Sequence, residues 1–79
     1  MTKEKYKEVL EIQYSDVITK IKGYHELPNV LQALSDYTAI CIATCERIYD
    51  DKEINYCDYI YLNERINNNL KEVCRIVRR

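Results

Sequence analysis

Tryptophan and phenylalanine are absent from this chain, and glycine, proline and histidine occur once each. With only Gly23 and Pro28 as strong breaks, the chain lacks the turn residues that a sandwich or barrel of short strands requires. It has no run of about 18 apolar residues, the length needed to cross a bilayer. The opening MTKEKYKEVL is too charged for a secretory signal. A soluble, intracellular protein without a membrane partner is the expectation.

A dominant charge is lacking too. Twelve basic residues against 13 acidic ones leave a formal net charge of -1, which argues against a nucleic-acid-coating protein and equally against an acidic mimic of DNA. There is no glycine-rich phosphate loop, nucleophile elbow or CxxC pair, so the residue patterns that carry phosphate binding, acyl transfer and dithiol chemistry are missing. His25 has no nucleophile beside it, Ser15 and Ser35 lack an elbow context, and Asp50 and Asp51 sit in a turn. The expectation is a non-enzyme without a cofactor, because no convergent site forms and one small bundle encloses no pocket of enzyme size.

What is present is an apolar pattern of helical period. At 79 residues the chain reads as one helical domain, residues 1–79, near the size at which a single core only just suffices and dimerisation helps. Tyr6, Leu10, Tyr14, Val17, Ile21 and Tyr24 recur at spacings of three and four, which makes one stripe of a helix over 3–23. Gly23 supplies its stop. Pro28 fits a first helical turn, where its missing N–H costs nothing, so a second helix is expected over 28–49. Val30, Leu31, Leu34, Tyr37, Cys41, Cys45, Ile48 and Tyr49 face one way on it. Ala33, Ile40, Ile42 and Ala43 widen that surface, which suggests the central, most buried helix. DDKE, residues 50–53, is the next turn, with Asp50 or Asp51 as the cap of a third helix over 54–77. There Tyr59, Leu62, Ile66, Leu70, Val73 and Val77 point inward. NNN, residues 67–69, is its weak point, because asparagine is a poor interior helix residue. Short connections make neighbours antiparallel, giving an all-α, three-helix up-down-up bundle.

Residues 40–61 hold three of the four cysteines and four of the eight tyrosines. Cys41 and Cys45 share a helix face, and Cys45 and Cys57 flank the turn evenly, so three thiols gather at one end. Cys74 lies about 25 Å along the third helix at about 1.5 Å per residue, and His25 belongs to the other turn. Structural zinc wants four protein ligands, and no metal is expected. A Cys45 to Cys57 disulfide is conceivable in reach, but intracellular thiols stay reduced, and free cysteine packs as a small apolar residue.

Two poles are candidate binding surfaces. Tyr6, Tyr49, Tyr56 and Tyr59 gather at the second turn, where tyrosine, apolar in its ring and polar at its tip, suits a protein contact, and Asp50, Asp51, Glu53 and Asp58 add negative charge. The opposite end collects Lys20, Lys22 and His25 with Lys71, Arg75, Arg78 and Arg79. These cations stabilise a helix C-terminus or meet an anion or a nucleic acid.

Abundant isoleucine, asparagine, lysine and tyrosine match AT-rich codons, as in an AT-rich bacterium or its phages and plasmids. In size, composition and want of catalytic motifs the chain resembles the inhibitors that phages and mobile elements encode, anti-CRISPR proteins among them. The resemblance is of type and carries over no residues. It implies a protein-interaction module that docks on a larger host protein or ribonucleoprotein complex and blocks it sterically. KGYHEL, residues 22–27, is similar to a stretch ahead of the helical hairpin in phage proteins that sequester cyclic oligonucleotides. That likeness covers six residues, and the following helix lacks the lysine of that family. It implies a second reading, a helical oligomer holding nucleic acid or a cyclic oligonucleotide at the basic pole. A homo-oligomeric structural or regulatory component is the third.

Overall fold

Tyr6, Leu10, Val17 and Ile21 are buried along one side of the first helix, as their spacing predicts. The computed structural model describes residues 1–23 and 26–78 and contains α1 (Lys3–Gly23), α2 (Leu27–Asp50) and α3 (Tyr56–Val77), with no strand among the described residues. Tyr24, His25 and Arg79 lie outside the described residues, and with them the expectations placed on them. YCDYIYL, whose alternation also suits a strand, is the first turns of α3.

Each helix packs against the other two, in a body of 42 × 17 × 16 Å. The core holds Leu10, Val17 and Ile21 of α1, Ala33, Tyr37, Cys41 and Ile48 of α2, and Leu62, Ile66 and Val73 of α3. Tyr14, Val30, Leu34, Cys45, Tyr59, Leu70 and Val77 pack around it half-buried. α2 is therefore not a central helix: in a three-helix bundle every helix keeps one face in water. Leu31, Ile40, Ile42 and Tyr49, expected inside, are exposed on α2. An apolar surface that wide exceeds what two neighbours can cover.

The helix ends correct two further expectations. α2 begins one residue early, at Leu27, and Pro28 occupies its first turn as expected. The cap of α3 is Asn55 rather than Asp50 or Asp51, its side chain accepting the Asp58 N–H at 2.8 Å. Asp50 is still helical, and Asp51 closes α2 with its N–H on the Ile48 carbonyl at 3.3 Å. The chain then needs residues 52–55 to reverse, which places a second good cap residue where the new helix starts. α3 runs unbroken through Asn67, Asn68 and Asn69, because burial of Leu62, Ile66 and Val73 outweighs the few tenths of a kcal/mol that each asparagine costs.

Candidate functional site

The turn between α2 and α3 gathers side chains from all three helices. The Tyr6 hydroxyl donates to the Asp51 carboxylate at 2.9 Å. Asp51 also accepts the Glu53 N–H at 2.9 Å and the Met1 amino group at 3.1 Å, and that amino group reaches Glu53 at 2.6 Å. Lys3 lies 3.6 Å from Asp58. Much of the acidic charge expected at this pole is thus matched by Met1 and Lys3. Tyr6 is itself only 7% exposed. It is a core residue with a polar tip.

Tyr49 and Tyr56 are different. They flank the turn at 75% and 77% exposure, and Tyr49 stands edge-on to Tyr59 with ring centroids 5.8 Å apart. Tyr59 is half-buried and supports Tyr49 from behind, which limits the rotamers that a binding partner would have to freeze. A shallow cleft beside them is lined by Cys45, Glu46, Tyr49, Asp50 and Tyr59. Tyr61, the fourth ring of this segment, instead lies under Lys3 and Lys7, at 5.4 and 6.0 Å.

The thiols do not converge. Cys41 is buried, Cys45 donates to Asn63 Oδ1 at 3.5 Å, Cys57 is exposed, and all four are free. Burial raises Cys41 and Cys45 above the ordinary thiol value, so both remain protonated packing groups. No cluster of three His, Cys, Asp or Glu side chains fit to hold a metal occurs among the described residues.

At the other pole Arg75 is committed to Glu72 on its own helix. Lys71, Arg75 and Arg78 line a groove on α3 with Asn67, Leu70 and Cys74. Lys20 and Lys22 close α1. No described helix is long and apolar enough to cross a membrane.

The Asp51 cluster makes stability depend on pH. Asp51 is held below the ordinary value of 3.8 by the Glu53 N–H first, then by the Met1 amine and Tyr6. Its ionised form favours the folded state, so its contribution is present above about pH 3.8 and is lost as pH falls through the lower folded value. Tyr6, Tyr14 and Tyr37 are raised above 10.0, chiefly by burial. Their contribution is full below about pH 10.0 and is lost as pH rises through the raised values. Melts followed by circular dichroism are expected to weaken at both extremes, and Asp51→Asn to flatten the acid limb alone. An unaltered acid limb would show that Asp51 is not its source.

Of the residues singled out in the sequence, Tyr49 and Tyr59 come together beside the turn and Tyr56 stands exposed past it, while Tyr6 is withdrawn into the core. Asn55 was missed as the cap from the sequence, although an asparagine three residues ahead of Asp58 at the start of an apolar run is a capping signal. The neutralisation by Met1 and Lys3 was not legible, since it depends on how α1 lies against the turn. No family model, no curated protein and no solved structure matches the chain, so its chemistry rests on these residues alone.

Proposed function

We propose that the protein is a small non-catalytic interaction module, an inhibitor of the anti-CRISPR or other anti-defence type carried by a phage or mobile element. It acts in the cytoplasm of the bacterial host by docking on a larger protein or ribonucleoprotein complex and blocking a site sterically. The observation that carries this reading is the pair Tyr49 and Tyr56, three-quarters exposed on either side of a turn tied down by Asp51. Exposed tyrosines beside a well-held backbone are among the side chains that most often dominate protein interfaces. The reading takes the helices in up-down-up order, which the contacts of Met1 with Asp51 and of Lys3 with Asp58 support. It also takes the module to be able to self-associate as a dimer.

The test is capture of a target from bacterial lysate by wild type and by Tyr49→Ala, Tyr56→Ala and Tyr59→Ala. Loss of at least one anchor is expected to weaken binding by about 2 kcal/mol, roughly 30-fold. The melting temperatures of the Tyr49 and Tyr56 variants should stay near wild type, because both side chains are exposed. Equal capture by all three variants would remove the tyrosine pole as the docking surface.

A further inference from the structure

α2 carries a second apolar stripe beside the one it turns to the core. Leu27, Leu31, Leu34, Thr38, Ile42, Cys45 and Tyr49 recur at spacings of three and four, so they form a line along one edge of the helix. Thr38 does not interrupt it, because its hydroxyl donates to the Leu34 carbonyl at 2.9 Å and is satisfied within the helix. The line borders α3, as Cys45 bonds Asn63 and Tyr49 packs on Tyr59. Leu27, Leu31, Ile42 and Tyr49 are 62%, 51%, 57% and 75% exposed. Scattered exposed leucines are ordinary, whereas a line of apolar side chains along a helix marks an interaction surface.

The charges at its two ends identify the occupant. Near the C-terminus of α2 the acidic Glu46 and Asp50 line the cleft of Cys45 and Tyr49. Towards the C-terminus of α3 the basic Lys71 and Arg78 line the groove of Leu70 and Cys74. We propose that a second copy of this chain covers the α2–α3 face in an antiparallel, two-fold dimer whose axis passes between Thr38 and Ile42, so that Leu31 of each chain meets Tyr49 of the other. That symmetry lays the apolar line on its own reversed copy. It sets Glu46 and Asp50 of each chain against Lys71 and Arg78 of the other, so opposite charges meet at both ends, whereas a parallel arrangement sets like on like. The dimer rests on the reading of the protein as an interaction module, and because Tyr49 belongs to the stripe, a second copy competes with a target for it.

Sedimentation of the purified protein tests the dimer without any target. Wild type is expected to dimerise at micromolar concentration. Glu46→Lys with Asp50→Lys makes both ends basic, and Lys71→Glu with Arg78→Glu makes both ends acidic. Each double variant alone is expected to sediment as a helical monomer, with dimer dissociation at least tenfold stronger, and an equimolar mixture of the two to re-form a dimer. Ile42→Glu, at an exposed position, is expected to give a folded monomer. A monomeric wild type, a double variant that still dimerises, or a mixture that stays monomeric overturns the proposal. None of these results touches docking on a host target, which fails only if the tyrosine variants capture it as wild type does.

Discussion

Leu62→Ala is expected to destabilise the protein by about 2–5 kcal/mol, the range for a leucine truncated in a packed core. Leu62 is fully buried, among Tyr6, Leu10, Ile48 and Ile66 of the same core cluster. A chain of this length has about 4–12 kcal/mol of total stability at about 0.05–0.15 kcal/mol per residue. The substitution therefore removes a large share of it. In thermal melts the midpoint should fall by about 8–40 °C, since each kcal/mol moves a domain of this size by about 4–8 °C. Ile42→Ala removes a side chain of similar size from an exposed site of α2, and the monomer should lose no more than about 0.5 kcal/mol. Equal losses at the two positions would contradict the assignment of inner and outer faces.

The second large effect has the opposite sign. Tyr37 and Asn69 are 2% and 6% exposed, and the Tyr37 hydroxyl lies against Cys41 and Asn69. Neither that hydroxyl nor Asn69 Nδ2 completes a well-formed hydrogen bond within the protein. Two polar groups are thus desolvated for little return, a cost of about 1–3 kcal/mol for each unsatisfied group. Replacing both with apolar residues of similar shape, Tyr37→Phe with Asn69→Leu, removes that cost and exchanges a poor helix former for a good one. The double variant is expected to melt at least about 8 °C higher, by the same conversion applied to the lower bound for two groups. A lower melting point would mean that the pair is satisfied and holds the helices in register, the role that buried polar groups take in some helical assemblies.

The three helices were legible because their signal is local. Tyr6, Leu10, Val17 and Ile21 return at a helical period, and the chain offers Gly23 and Pro28 as its only strong breaks. The end of α2 and the start of α3 were less legible. Asp50, Asp51 and Asn55 are all competent caps, and the choice among them turned on how much chain the reversal needed. Asp51 went to the Glu53 N–H, Tyr6 and Met1, and Asn55 took the cap. The candidate site divided in the same way. Periodicity places Tyr6, Tyr49, Tyr56 and Tyr59 near one pole, but it does not say that Tyr6 lies in the core while Tyr49 and Tyr56 stand in water.

By itself, then, the sequence determined that this is a helical protein, where its helices run and which stripe of α1 and α3 turns inward, because hydrogen bonding within a helix and the period of its apolar residues are settled over a few turns of chain. Only the tertiary structure decided which half of the broad apolar surface of α2 is core. Ala33, Tyr37, Cys41, Thr44 and Ile48 are covered, and Leu31, Ile42 and Tyr49 are left outside. The reason is geometric. Two neighbouring helices cover one arc of a third, and the placing of that arc is a property of the three packed together.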